Sequence, residues 1–212
     1  MKLPRLYPIA DIDTLSRQGL GLRQFVQQVL AGGAEVLQLR DKHGSPQQIL
    51  RHAAILTEEA AGMPCIPVMN DRADLALLAG WTAVHVGHLD LPPDAVRRVF
   101  GLQPKQAICV GVSTHTAEQV VAANMGSADY IAVGPVFATG TKADAEPVIG
   151  LEGVRRARTL TRKPIVAIGG ITRANAAAVW EAGADSVAVI GGLFAEGETV
   201  ERVVRDFLER LR

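Results

Sequence analysis

Two cysteines in 212 residues, Cys65 and Cys109, are too few for a secreted disulfide framework and too far apart for a CxxC metal clip. Both sit in or beside apolar runs, where a thiol reads as core filler. A surplus of either charge is also missing. The chain has 22 Lys and Arg against 22 Asp and Glu, so no basic excess is there to neutralise a nucleic-acid backbone or an anionic membrane. No apolar run approaches the roughly 18 residues of a membrane span. The N-terminus, Met1-Lys2-Leu3-Pro4-Arg5, leads into only a short apolar stretch with no cleavage site. The chain is therefore expected to be cytoplasmic, with no nucleic-acid and no membrane partner. Linker-like and low-complexity segments are absent too, which leaves no point at which to divide residues 1–212 into two domains.

What is present is one pattern, repeated. Apolar, β-rich runs occur at Leu6–Ala10, Val36–Leu39, Ile66–Met69, Ala83–Val86, Ile108–Val112, Tyr130–Val133, Ile165–Ile168 and Ser186–Val189. Segments of helical period lie between them, at Leu22–Leu30, Pro46–Ala61, Ala117–Met125, Leu151–Leu160 and Ala174–Ala182, and a last helix is expected over Thr199–Leu211. Gly33-Ala34, Gly126-Ser127-Ala128 and Gly183-Ala184 read as helix C-caps before the next strand. Strands apolar along their whole length are covered on both faces, and alternation with helices requires parallel pairing through right-handed crossovers. Eight such units predict an α/β fold, a (β/α)8 TIM barrel in a single domain, with an open doubly wound sheet as the alternative. The 48% apolar content supports the core, and 212 residues place the chain near the short end of that fold.

Chemistry in such barrels sits on the loops after the strands. The polar residues cluster there: Gln38, Arg40, Asp41 and Lys42 after the second run, Asn70, Asp71 and Arg72 after the third, His85, His88 and Asp90 around the fourth, Ser113, Thr114 and His115 after the fifth. The sixth run leads into Gly134-Pro135-Val136-Phe137-Ala138-Thr139-Gly140-Thr141-Lys142, too long and Gly/Thr-rich for a mere connector, and is read as a mobile substrate loop. The seventh and eighth runs both end in Ile-Gly-Gly, at 168–170 and 190–192, where backbone amides can cradle a phosphate. A single glycine pair at a strand end is an ordinary turn; two at these strands favour the cradle.

Asp71 and Asp90 end adjacent strands, so their carboxylates can converge on one hard cation. Magnesium suits two carboxylates that leave its other positions to substrate phosphate and water, and Arg40, Lys42 and Lys142 nearby make a diphosphate the natural partner. Taken singly, Asp71 reads as an acid of a helix start and Asp90 as a turn residue before Pro92-Pro93; the three cations beside them favour a site. No zinc spacing emerges from the histidines. Ser113 and His115 lack a G-x-S-x-G elbow and a third orienting group, and no G-x-G-x-x-G follows the first strand, where Asp11-Ile12-Asp13 stands instead.

Six segments taken in order resemble the thiamine phosphate synthase family, in a superfamily that also holds thiazole tautomerases. They are Gln38-Leu39-Arg40-Asp41-Lys42, Asn70-Asp71-Arg72, His85-Val86-Gly87 with Asp90, Gly111-Val112-Ser113-Thr114-His115, Gly134-Pro135-Val136-Phe137 with Thr139, Thr141 and Lys142, and Ile168-Gly169-Gly170-Ile171. The resemblance implies a transferase of thiamine biosynthesis. It would join 4-amino-2-methyl-5-hydroxymethylpyrimidine diphosphate to a carboxythiazole ethyl phosphate, with loss of diphosphate and carbon dioxide and with Mg2+ as its metal. It implies pyrimidine diphosphate contacts at Gln38, Arg40, Lys42, Asn70, Ser113 and Lys142, with Leu39, Asp41 and Gly140 in the same binding segments. Arg40, Lys42, Ser113 and Lys142 would be the catalytic set and Asp71 and Asp90 the magnesium ligands. Thiazole phosphate contacts would fall at Thr139, Thr141, Gly170, Ile190 and Gly191.

Two departures accompany the match. Gly191-Gly192 stand where the family usually has a serine followed by alanine, and His88-Leu89 replace the usual glutamine and its neighbour before Asp90. A tautomerase, with His115 as its acid-base group, is the alternative activity, but it has no evident use for Lys42, Asp71, Asp90 and Lys142 together. A non-catalytic sensor of thiazole or thiamine phosphate would need a partner surface that no charged tail or appended helix supplies. The partners expected are small phosphorylated molecules, and the barrel pattern carries no signature of oligomeric state.

Overall fold

The computed structural model describes residues 3–101, 107–140 and 147–212. Eight parallel strands close into one barrel in sequence order, each hydrogen-bonded to its neighbours and the eighth to the first. The strands are β1 (Leu6–Asp11), β2 (Val36–Arg40), β3 (Ile66–Asn70), β4 (Ala83–Val86), β5 (Cys109–Thr114), β6 (Tyr130–Val133), β7 (Ile165–Ile168) and β8 (Ser186–Val189). Around them run α1 (Ile12–Arg17), α2 (Leu22–Ala31), α3 (Pro46–Glu59), α4 (Ala73–Leu78), α5 (Pro93–Phe100), α6 (Ala117–Met125), α7 (Gly150–Leu160), α8 (Ala176–Glu181) and α9 (Val200–Arg210). A one-turn 3-10 helix, Gly191–Leu193, follows β8. The open-sheet alternative is excluded by closure of β8 onto β1.

The expected strands are all present, but β1, β2, β3 and β5 run one or two residues further than their apolar runs. Asp11, Arg40, Asn70, Ser113 and Thr114 are therefore held by the sheet ladder rather than by loops. Helices α1, α4 and α5 are six to eight residues long, too short to show a helical period in sequence. Longer helices start on side-chain caps. Ser45 and Gln48 form a reciprocal capping box on α3 with Pro46 in its first turn, and Thr116 and Gln119 do the same for α6. Gly33 and Gly183 close their helices at positive φ, whereas Gly126 is extended and ends α6 without a left-handed cap.

Strand alternation sorts the buried residues into two clusters. The larger, with Leu37, Leu39, Val84 and Val86, lies between the strands and the helical shell. The smaller, with Tyr7, Ile9, Val68, Tyr130, Ala132, Val166 and Ala188, fills the barrel interior and forms the bed of the site. Cys65 and Cys109 are half-buried and unpaired. Burial raises the thiol of Cys65 to about 11, helped by Glu35, and that of Cys109 to about 12, helped by Asp129, so neither offers a thiolate at neutral pH. Among the described residues no helix is long and apolar enough to cross a membrane.

Candidate active site

The C-terminal ends of the strands enclose a narrow shaft of about 70 Å³ that opens into a wider mouth of about 670 Å³. Gln38, Arg40, Asn70, Asp71 and His85 line the shaft, and Lys42, Asp90, Ser113 and Ile190 border both spaces. Thr139, Gly140, Gly170 and Gly191 line the mouth. Thr141 and Lys142 lie outside the described residues.

Leu39 and Asp41 do not reach the cavity with their side chains. Leu39 alternates outward between Gln38 and Arg40 and packs, 1% exposed, against the helical shell. Asp41 folds back over its own loop: its carboxylate accepts from the Gly44 amide at 2.7 Å and meets His52 Nδ1 at 3.0 Å. Its work is to hold the turn that presents Lys42. A Cβ on Gly44 would stand 2.2 Å from Asp41 Oδ2, so a larger residue there would displace the Asp41 carboxylate.

Arg40 is anchored by a residue with no part in the expected site. Asp11, 2% exposed at the end of β1, forms an ion pair with Arg40, caps α1 through the Thr14 amide at 2.9 Å and accepts from the Thr14 hydroxyl at 2.6 Å. Burial alone would raise the Asp11 carboxyl, but the Thr14 bonds and the Arg40 guanidinium outweigh it and hold it below the usual carboxylate range. A buried acid directly after an apolar strand was the available signal.

At the rim, Asp71 pairs with Lys42 and accepts from Asn70 Nδ2 at 2.6 Å. It is the one non-glycine residue at positive φ among the described residues, at +60°. Such a conformation costs about 1 to 2 kcal/mol and is held here by the Asp71 amide bonded to the His85 carbonyl at 2.7 Å. Asp90 Oδ2 accepts from the Gly87 amide at 2.9 Å. Burial raises the Asp90 carboxyl, and so does the adjacent Asp71, against the lowering effects of that amide and of Lys42. A carboxylate pair in which Asp71 raises Asp90 is a donor set a hard dication would satisfy. Among the described residues no group of three or more His, Cys, Asp or Glu side chains converges, so any metal here would draw its remaining ligands from substrate and water.

The shaft ends on Tyr7 and Tyr130, the only tyrosines in the chain. Tyr7 accepts from Gln38 Nε2 at 3.1 Å, the two phenols meet at 2.9 Å, and His85 bridges Tyr130 (3.1 Å from Nδ1) to Ser113 Oγ (2.9 Å from Nε2). Reading by strand ends missed both tyrosines, which sit inside apolar runs. The clue available was that a hydroxyl in such a run needs a buried partner. At the mouth, His115 Nδ1 lies 2.6 Å from the Gly134 carbonyl, which fixes the proton on that nitrogen, and its ring meets His88 edge-on.

The two Ile-Gly-Gly ends differ. Gly169 and Gly170 are both at positive φ, and Cβ atoms there would lie 2.5 Å from Pro135 Cβ and 2.6 Å from the Ala138 carbonyl, so these glycines also let the loop after β6 lie against the loop after β7. Asn175 holds that turn, donating to the Gly170 carbonyl at 3.1 Å and accepting from the Thr172 amide at 2.8 Å. After β8, Gly191 and Gly192 open the 3-10 turn toward the mouth.

Comparison with known proteins agrees with this arrangement. The family model described as thiamine monophosphate synthase matches residues 6–193. A thiamine-phosphate synthase from Koribacter versatilis is 46% identical over 198 residues, covering 92% of each chain. One from Chloroflexus aurantiacus is 44% identical over 193 residues, covering 90% of this chain and 85% of that one. Among solved structures, thiamine phosphate pyrophosphorylase from Pyrococcus furiosus superposes with a TM-score of 0.82 at 29% identity, covering 98% of this chain and 95% of that one. With most of its length matched, and with cations, paired carboxylates and glycine turns gathered at one barrel mouth, the chain belongs to the thiamine monophosphate synthase family.

Proposed function

We propose that this protein is a thiamine-phosphate synthase. It would couple 4-amino-2-methyl-5-hydroxymethylpyrimidine diphosphate to carboxythiazole ethyl phosphate with release of diphosphate and CO2. The observation that carries the reading is the convergence of Arg40, Lys42, Asn70, Asp71, Asp90 and Ser113 on one shaft that adjoins a glycine-lined mouth. The homologues make the chain an enzyme of the transferase class. Its partners in this reading are small phosphorylated molecules, and its place is the cytoplasm.

The pyrimidine would enter the shaft between Gln38 and Ser113, with its diphosphate outward against Arg40, Lys42 and Asn70. Lys142, on grounds of charge alone, would add a third cation for that group. Heterolysis of the bond between the methylene carbon and the diphosphate oxygen leaves a pyrimidine methylene cation and a diphosphate whose growing charge Arg40 and Lys42 offset. The thiazole nitrogen supplies the electron pair of the new C–N bond, so no general base is needed at that step; the carboxylate then leaves as CO2, its C–C bonding pair stays on the ring carbon, and that carbon takes up a proton from water. The apolar walls Ala132, Val166 and Ile168 keep water from the cation. Asp71 and Asp90 would hold Mg2+, which supplies further neutralisation of the leaving diphosphate when bound. Support for that assignment is the closeness of the two carboxylates, which with burial raises Asp90, and the all-oxygen donor set.

The thiazole phosphate would lie against Gly170 and the Ile190-Gly191-Gly192 turn, which line the mouth and where backbone amides would meet an anion without a charged side chain. Gly191→Ser is expected to tighten thiazole phosphate binding about tenfold, since one hydrogen bond to a charged group contributes roughly 1.5 to 3 kcal/mol and part of it is lost to ordering the hydroxyl. Titration of the thiazole phosphate followed by calorimetry checks this.

The deciding assay measures diphosphate release and thiamine phosphate together, with and without magnesium. Equal, magnesium-dependent amounts of both are expected. Conversion of the thiazole between isomers with no diphosphate release would assign a tautomerase instead. Binding without either reaction would assign a sensor.

A further inference from the structure

Five side chains from five strands form an unbroken chain across the shaft floor, buried at Gln38, Tyr7 and Tyr130 and part-buried at His85 and Ser113: Gln38 (β2), Tyr7 (β1), Tyr130 (β6), His85 (β4) and Ser113 (β5), with links of 3.1, 2.9, 3.1 and 2.9 Å. Its construction is specific. His85, Gly111 and Tyr130 are register partners on adjacent strands, and a Cβ on Gly111 would stand 2.0 Å from Tyr130 Cζ. The missing side chain on β5 is what lets the Tyr130 ring cross that strand and stack on His85, with ring centres 5.6 Å apart. Burial raises both phenols well above their ordinary range, so each keeps its single proton.

One proton per phenol makes the chain directional. With Gln38 Nε2 donating to Tyr7, and for the neutral form of the imidazole, the Tyr7 proton goes to Tyr130, the Tyr130 proton to His85 Nδ1, and the His85 Nε2 proton to Ser113. Gln38 is then left with its amide oxygen, an acceptor, for a ligand, and Ser113 with its hydroxyl proton, a donor. The opposite arrangement needs every link reversed at once: the Gln38 amide turned over, both phenols rotated and the imidazole in its other tautomer. An isolated glutamine turns its amide to suit either partner; this one cannot do so alone.

We infer that Tyr7, Tyr130 and His85 are positioning residues which lock the hydrogen-bonding polarity of Gln38 to that of Ser113, and so select a heterocycle with an amino donor at Gln38 over one with a carbonyl there. The inference rests on the reading of Gln38 and Ser113 as contacts of the pyrimidine. A 4-amino group meets the Gln38 oxygen with the relay at rest. A 4-oxo group in its place meets a fixed acceptor unless the whole relay reverses.

The test compares kcat/KM for the 4-aminopyrimidine diphosphate and its 4-oxo analogue in the unmodified enzyme, Tyr7→Phe, Tyr130→Phe and Gln38→Ala. Either phenylalanine cuts the relay while keeping the ring, after which Gln38 turns independently. The amino-to-oxo ratio is expected to fall about tenfold in each, the scale of one buried hydrogen bond changing sign, chiefly through a better oxo substrate. Two tyrosine sites guard against one variant failing to fold. A ratio unchanged in both, with rates for the two substrates lowered equally, would reduce the tyrosines to packing and overturn the relay. If instead Gln38→Ala leaves KM for the aminopyrimidine diphosphate unaltered, it is the placement of the pyrimidine that fails, and the relay's role in selection fails with it.

Discussion

Replacing Asp71 or Asp90 by asparagine is expected to lower magnesium-dependent turnover by about a hundred- to a thousandfold with the fold intact, the scale of removing one group that offsets charge at a reacting centre. Asparagine is the informative substitution at Asp71 because it tolerates the positive φ found there, whereas alanine adds a backbone cost unrelated to the metal. Diphosphate release measured across a magnesium titration, beside circular dichroism, separates the two effects. Magnesium dependence unchanged in both variants would sink the metal assignment. The same pair predicts a gain in the metal-free protein. Burial and Asp71 raise the Asp90 carboxyl, so its ionisation costs the fold stability as pH rises past the ordinary aspartate range. Asp90→Asn removes that cost and is expected to raise the melting temperature at neutral pH without metal.

Asp11→Ala carries the second large effect, on stability and activity together. It strips a buried ion pair of its acid, leaving Arg40 charged without a partner, and it uncaps α1; breaking a buried pair in this way costs about 3 to 5 kcal/mol. Arg40, released from Asp11, is expected to lose its alignment at the shaft, so kcat/KM for the pyrimidine diphosphate falls as well. The pH dependence identifies the cause. Because the folded carboxyl lies below its unfolded value, its stabilisation is complete above the unfolded pKa of about 4 and is lost as pH falls through the folded value. Denaturation curves of the two proteins should therefore converge in acid and separate toward neutrality. A constant gap at all pH values would mean that lost packing, and not the charge, is responsible.

Most of the residues legible in sequence share one property: they follow the end of an apolar run. Arg40, Asn70, Asp71, Asp90 and Ser113 stand at or after the point where a hydrophobic pattern stops, Gln38 is the polar break within one, and in a parallel barrel every such stop lies on the same face. Leu39 and Asp41 stand in the same stretch and were expected in the site. Membership of a stretch does not distinguish an inward from an outward side chain, and the turn folds Asp41 back on Gly44 and His52. Tyr7 and Tyr130 escaped because their polar atom sits at the tip of an apolar ring inside a strand.

By itself the sequence determined the number of strands, their order as parallel units and the end of the barrel at which chemistry gathers, because hydrophobic period and strand-end polarity are local properties of the chain. Only the tertiary structure decided that Asp11 anchors Arg40, that Asp71 stands close enough to raise the Asp90 carboxyl, and that Gly111 makes room for Tyr130 to reach His85. Those relations join residues on, or just after, different strands, as far as 45 positions apart. Their partners are set by register around a closed sheet, where the pairing of β8 with β1 fixes at once which side chains share a layer.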